Sequence, residues 1–292
     1  MTAIIIGNFD GVHLGHQGLI RHACSLSPAG GVVAVTFDSH PAALARGVAP
    51  PHLSSNSDRE RLLIEAGATR VECLSTSKEL LELTPEKFIE FLQRRIDFAR
   101  IVEGGDFRFG FRRSGDIETL RAIGARRGFE TTVVDDVDVV LHDGRVVSAR
   151  SSVVRWLLAH GRVADASRML GRAYEVTGVV VQGKQRGREL GYPTANFTEL
   201  ESVLPADGVY SVDVVDAAGR QWRGAASIGS NPTFGDSART LEVHVLDLPK
   251  ETDLYGQRLR ISFREWIRGM MRFDSVDSLV SQIARDCARA RA

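Results

Sequence analysis

Ile4-Ile-Ile-Gly-Asn-Phe-Asp-Gly-Val-His-Leu-Gly-His16, near the start of the 292-residue chain, decides the fold. Ile4, Ile5 and Ile6 read as a buried strand. The Gly7–Gly11 run breaks that strand, and Leu14, Ile20 and Ala23 then fall at helical spacing. A strand entering a helix through such a turn presents free backbone N–H groups and the positive end of a helix dipole, a ready site for phosphate. His13 and His16 stand three apart at this junction, so two imidazoles one turn apart can hydrogen-bond one anion. Gly15 between them leaves the backbone open to close approach. Zinc is the competing reading of a histidine pair, but His22, His40 and His52 offer no third ligand at a supporting spacing.

Outward from this turn, strand-like and helix-like segments alternate. Gly31–Phe37 reads as a Val-rich strand, Arg59–Ala66 as a helix, Arg100–Glu103 and Glu130–Val134 as strands. Pro85–Arg95 is predicted as a helix with Thr84 as N-cap and Phe88, Phe91 and Leu92 on its apolar face. Asp116–Arg127 is another, ended by Gly128. Strands separated by helices imply an α/β domain with a parallel sheet covered on both faces, its ligands at the carboxyl ends of the strands.

From about Arg172 the rhythm changes. Tyr174–Val181, Gly208–Val215, Arg223–Ile228, Leu241–Leu246 and Leu259–Phe263 are short, β-rich and separated by Gly, Pro, Asn and Asp turns, which predicts a small antiparallel barrel. A last helix follows, with Ser275 as N-cap and Val276, Leu279, Val280 and Ile283 at helical spacing. The helical stretch Ser151–Leu170 is the expected junction, giving domains 1–165 and 166–292. Gly178–Gln185 has the outline of a P-loop but fails as one: Gln185 follows Lys184 where a hydroxyl should bind magnesium, and Val179–Val181 is a strand.

The better phosphate candidate is the next segment, Gly187-Arg-Glu-Leu-Gly-Tyr-Pro-Thr-Ala-Asn196. Thr194 and Asn196, two apart on an extended segment, point the same way and offer a hydroxyl and an amide oxygen, hard ligands suited to Mg²⁺ and nucleotide phosphate. In Leu241-Glu-Val-His-Val245 the residues Glu242 and His244 lie opposite the apolar face, where a carboxylate could take a proton from an alcohol.

The composition suits an ordinary globular protein, with 43% hydrophobic and 25% charged residues. Lys+Arg and Asp+Glu number 37 each, so no net field points to nucleic acid or an anionic membrane. Cys24, Cys73 and Cys287 form no framework, which fits reduced thiols and a cytoplasmic location. No apolar run approaches the roughly 18 residues of a membrane span. The chain opens on a strand without a basic-then-apolar leader, so no secretory signal is expected. Oligomeric state is not fixed by any of this.

The ordered segments together resemble the bacterial bifunctional riboflavin kinase/FAD synthetase family over nearly the whole chain. The first domain carries Gly7–His16, Thr36-Phe-Asp-Ser-His-Pro41, Gly104-Gly-Asp-Phe-Arg-Phe-Gly110 and Arg150-Ser-Ser-Val-Val-Arg155. The second carries Leu170-Gly-Arg172, Gly191–Asn196, Asp207-Gly-Val-Tyr210, Gly229-Ser-Asn-Pro-Thr-Phe-Gly235, Leu241–His244 and Leu254-Tyr-Gly256. The resemblance implies a Rossmann-like nucleotidyltransferase domain followed by a riboflavin-kinase barrel that ends in a helix. It implies ATP-dependent phosphorylation of riboflavin to FMN, then adenylylation of FMN to FAD with release of pyrophosphate.

Carried over residue by residue, Glu242 would be the kinase base, Thr194 and Asn196 would hold Mg²⁺ and ATP, and Arg188 and Gly191 would lie on the ATP loop. Arg268 would help close the flavin site. In the first domain His13 and His16 would steady the triphosphate beside Gly7, Asn8, Asp10 and Gly15. Asp106 and Phe107 would meet the flavin, and Ser151, Ser152 and Arg155 the phosphates. Ser39 departs from the family's usual Pro, and Arg150-Ser151-Ser152 from its Ser-Ser-Thr. These departures leave one alternative, a riboflavin kinase with an impaired adenylyltransferase domain. A flavin-binding protein without turnover would have no use for Glu242.

Overall fold

The computed structural model describes residues 1–183, 185–231, 236–249 and 251–292. Lys184 of the P-loop-like segment and positions 232–235 of the Gly229–Gly235 motif lie outside them. The chain divides into two units, Met1–Pro51 with Ser55–Val139 and Val146–Ala149, and His52–Ser54 with Val140–Arg145 and Arg150–Ala292.

The first unit runs β1 (Ala3–Ile6), α1 (Leu14–Leu26), β2 (Val32–Phe37), α2 (Pro41–Arg46), α3 (Asn56–Glu65), β3 (Arg70–Leu74), α4 (Lys78–Leu81), α5 (Pro85–Gln93), β4 (Arg100–Gly104), α6 (Ile117–Arg127) and β5 (Glu130–Val134). Its five strands pair in parallel in the order β3-β2-β1-β4-β5. Chain order therefore reverses between β1 and β4, where such sheets open a ligand crevice at their carboxyl ends. All four residues of β1 are buried, which explains its unbroken apolar run. Ile4 and Ile6 join a layer with Phe88, Ile89, Leu92, Leu120 and Ile123, while Ala3 and Ile5 join Ile20, Ala23 and Leu63 on the other face.

Thr84 caps α5 as predicted, and Asp116 caps α6, which ends at Gly128 with φ 81°. The face of α5 differs from the expected one. Ile89 is buried with Phe88 and Leu92, whereas Phe91 is only partly buried, its ring covered by the Arg95 guanidinium at 3.7 Å. Strand β3 has no alternating pattern in the sequence because it sits at the sheet edge, with all four residues before Leu74 half-buried or exposed.

Strands β6 (Asp138–Val140) and β7 (Val146–Ser148) form a two-stranded sheet. The second unit continues with α7 (Ser151–Ala159), α8 (Val163–Leu170), β8 (Tyr174–Val181), α9 (Arg186–Glu189), β9 (Ala195–Thr198), β10 (Gly208–Val215), β11 (Gln221–Asn231), β12 (Asp236–Val245), β13 (Arg258–Arg268) and α10 (Val276–Arg291). Six strands close into an antiparallel barrel in the order β10-β11-β12-β9-β8-β13. Tyr174, Tyr210 and Phe263 are fully buried, with ring centroids 6.2 Å (Tyr174–Phe263) and 5.4 Å (Tyr210–Phe263) apart.

Two expectations change here. The extended segment that carries Thr194 and Asn196 runs into β9, a sixth barrel strand beside the five predicted. Helix α10 buries Asp286, Cys287 and Ala290 near its end, against Val209, Leu246 and Ile267, whereas Val276 is exposed. Its Ser275 cap is as predicted, reciprocated by Ser278.

Candidate functional site

In the first unit the chain leaves β1 through a turn held in unusual backbone geometry. Gly11 has φ 78°, and Phe9 and Val12 have φ 45° and 41°. A β-branched residue at positive φ is strained, and such strain persists only where surrounding packing fixes it. Both side chains are almost fully buried, and that burial holds the turn. Arg59 of α3, itself buried, ties the strand ends from outside the turn. Its guanidinium donates to the carbonyl oxygens of Asn8 at 3.2 Å and Phe37 at 2.6 Å.

His13 is the N-cap of α1, and its Nδ1 accepts from the His16 N–H at 3.4 Å. The two imidazoles stack at 3.6 Å, and Phe9 meets His16 edge-on at 5.1 Å. Burial, then the neighbouring His13, hold the His16 imidazole well below the usual histidine range. It is therefore neutral at pH 7, a hydrogen-bonding group and not a cation. His16 Nδ1 and Asn8 Oδ1 are buried without hydrogen-bond partners among the described residues. Two orphaned polar atoms on either side of a helix N-terminus fit a ligand that satisfies them. Gly15 is needed here: a Cβ would stand 3.1 Å from the Ala149 carbonyl oxygen and 3.1 Å from the His13 ring.

Gly7, Asn8 and Asp10 lie on the same turn, with Asp10 buried. Asp106 is exposed on the turn after β4, and Phe107 stacks on Phe109 at 5.3 Å. The Ser39 carbonyl accepts from Thr76 Oγ1 at 2.8 Å. Arg150 is the N-cap of α7, and Ser151, Ser152 and Arg155 stand on that helix, which belongs to the second unit.

The barrel brings its three predicted residues together. In the β9–β12 ladder Asn196 lies opposite Glu242, and Ala195 opposite Val243. Thr194 Oγ1 donates to Glu242 Oε2 at 3.2 Å. His244, one alternation beyond Glu242, holds the Pro193 carbonyl through Nδ1 at 2.8 Å and meets Tyr192 edge-on at 5.4 Å. Sequence reasoning placed His244 beside Glu242 without a task; its task is to fix the backbone just before Thr194.

The glycines of the P-loop-like segment serve barrel packing. A Cβ on Gly178 would stand 2.8 Å from Leu200 Cδ2 and 3.0 Å from the Thr198 carbonyl oxygen, and one on Gly183 would stand 2.3 Å from Asn196 Nδ2. Gly183 thus leaves room for the Asn196 side chain. Gly187 approaches the Tyr192 carbonyl oxygen, which a Cβ would meet at 2.3 Å, and Gly191 takes a left-handed φ of 83°. Arg188 is exposed on α9. Arg268 is committed elsewhere: its guanidinium makes a two-pronged ion pair with Asp286 of α10, at 3.0 Å (Nε) and 2.7 Å (Nη2), and donates to the Gly269 carbonyl.

Thr194, Asn196 and Glu242 form a set of hard oxygens. Among the described residues no cluster of three or more His, Cys, Asp or Glu side chains could hold a metal by itself. Such a set fits Mg²⁺ shared with nucleotide phosphates, the usual arrangement for that ion.

Residues 1–150 match the FAD synthetase family, and residues 170–292 match the riboflavin kinase family. The bifunctional riboflavin kinase/FMN adenylyltransferase of Escherichia coli is 36% identical over 295 residues, covering 99% of this chain and 91% of that one. The Haemophilus influenzae protein of the same description is 33% identical, over 99% and 93% of the two chains. A solved Streptococcus pneumoniae structure, described as a macrolide-efflux protein, superposes with a TM-score of 0.88 at 32% identity, over 99% of this chain and 93% of that one. Among the described residues no helix is long and apolar enough to cross a membrane.

Proposed function

The chain belongs to the family of bifunctional riboflavin kinase/FMN adenylyltransferases, and from that premise we propose how its residues share the work. It converts riboflavin and ATP to FMN, then FMN and a second ATP to FAD and pyrophosphate. The boundary we assign places adenylyl transfer in 1–165 and the kinase in 166–292.

In the kinase step Glu242 takes the proton from the ribityl 5′-hydroxyl as its oxygen attacks the γ-phosphorus and ADP departs. The observation that carries this reading is the Thr194–Glu242 hydrogen bond across the β9–β12 ladder, which fixes one carboxylate oxygen and leaves the other to face substrate. Asn196 and Thr194 hold ATP with its Mg²⁺, and the ion would neutralise phosphate charge that develops in transfer. Arg188 and Gly191 belong to the same loop. Arg268 acts through Asp286, fixing the segment between β13 and α10 that would close over the flavin. Glu242→Gln should lower FMN formation by ~10²–10⁴-fold, the usual worth of a general base, with folding unchanged. Near-normal turnover would remove Glu242 from this role.

In adenylyl transfer a phosphate oxygen of FMN attacks the α-phosphorus of ATP and pyrophosphate leaves. His16, held neutral, and His13 stacked on it donate hydrogen bonds to the charge that builds on the phosphates. Gly7, Asn8, Asp10 and Gly15 shape the nucleotide turn, and Asp106 and Phe107 meet the flavin. For Ser151, Ser152 and Arg155 the support is the family's motif alone, since α7 packs within the second unit. The kinase-only alternative is not favoured, because the FAD synthetase match spans the whole histidine turn and β4 motif. Three free cysteines suit a reducing, cytoplasmic setting.

A further inference from the structure

Glu103, in the middle of the reversal between β1 and β4, takes no part in the mechanism above. Strand β1 pairs with β2 over four residues, Ala3 to Ile6, but with β4 over only two, Ala3 and Ile4. Where that second ladder would continue, the Ile6 N–H donates instead to Glu103 Oε1 at 2.5 Å. The side chain is 3% exposed. It lies beside the two features that line the carboxyl ends of these strands: the Gly7–His13 turn, which begins one residue after Ile6, and the Asp106 turn, which begins two residues after Glu103.

We propose that Glu103 is a positioning residue for adenylyl transfer: its carboxyl replaces a backbone partner for Ile6 and wedges the ends of β1 and β4 apart where the nucleotide turn begins. The proposal rests on the assignment of adenylyl transfer to the first unit.

A wedge of this kind suits a polyanionic substrate only while it is uncharged. Burial holds the Glu103 carboxyl protonated well above the usual range, opposed by the Ile6 hydrogen bond and assisted by the negative charge of Asp106. Among the described residues, Asp106 is the one charged group that acts on it electrostatically. Val133 is its register partner on β5, and its face of β4, shared with Ile101, belongs to the layer of Phe88, Ile89, Leu92, Leu120 and Ile123 from α5 and α6. If Glu103 ionised, a second negative charge would stand beside Asp106 at a site that must accept a triphosphate.

The test compares wild type, Glu103→Gln and Glu103→Leu as full-length proteins, following FAD from FMN, Mg²⁺ and ATP between pH 6 and 9. Riboflavin phosphorylation and near-ultraviolet circular dichroism serve as controls. Gln keeps the acceptor for Ile6 and never ionises; it should match wild type at pH 7 and hold its rate at alkaline pH, where wild type declines. Leu removes the acceptor and should raise KM for ATP about tenfold with kcat changed far less, the cost of an unmade buried hydrogen bond expressed in the site's alignment. FMN formation should be unchanged in all three. Wild-type KM and pH profile in folded Glu103→Leu, or equal loss at pH 7 in Glu103→Gln, would overturn the inference. Absence of FAD synthesis in wild type would instead overturn the reading of the first unit.

Discussion

Replacing Gly183 by Ala perturbs the kinase site by crowding Asn196, without substituting any residue given a chemical role. The new Cβ would stand 2.3 Å from Asn196 Nδ2, 2.4 Å from its Cγ and 2.7 Å from its Oδ1, whereas ordinary contact begins at 3.4 Å. The Asn196 amide must therefore retreat by about 1 Å. It cannot do so by sliding along the strand, because β9 is fixed opposite Glu242 and Val243. Gly183 has no positive φ, so the substitution acts by volume and not through backbone strain. Misplacement of about 1 Å in a group that aligns reactants can cost ~10²-fold in rate. The expected result is a comparable fall in FMN formation from riboflavin, Mg²⁺ and ATP, read by chromatographic separation of the flavins. FAD formation from supplied FMN should be unaffected. Turnover of riboflavin within about threefold of wild type, in protein with unchanged barrel stability, would refute both the packing argument and the role of Asn196; the threefold margin is about 0.65 kcal/mol.

Three other outcomes are expected. His16→Ala should reduce FAD formation by ~10²–10³-fold and leave FMN formation nearly intact, because it deletes a preorganised donor in the first unit alone; equal loss of both products would count against separate sites. Folded-state Glu103 keeps its proton where the unfolded chain, at its ordinary value of about 4.3, has lost it. Stability is thus fully present below that value and falls as pH rises, by up to about 1.4 kcal/mol per pH unit until the folded group ionises. The stability difference between Glu103→Gln and wild type, measured by denaturant unfolding, should accordingly widen with pH, and a pH-independent difference would contradict this. A fragment beginning at Arg150 should fold and phosphorylate riboflavin, whereas one beginning at Leu170 should be less stable. The shorter piece loses α8, whose Val163, Ala166 and Met169 are buried and which packs on β8 and β13; equal stability of the two fragments would show that α8 is dispensable.

Local chemistry determined much of this protein. An unbroken apolar run specified β1, capping residues specified α5, α6 and α10, and a glycine turn with two histidines three apart marked the proposed anion site. These signals act over a few residues, so they are legible in order along the chain. Tertiary structure decided what depends on contacts distant in sequence. Thr194 and Glu242 are 48 residues apart, and only barrel closure, with β9 as the strand between β8 and β12, sets the register that joins them. The glycines that imitated a phosphate loop are small because Thr198 and Asn196 press against them. Arg268 is held by Asp286 of α10 and Arg59 is buried at the ends of β1 and β2, partners that lie far along the chain from each. A side chain's hydrogen-bonding partners are fixed by which strand ends converge on it, and that convergence exists only in the folded chain.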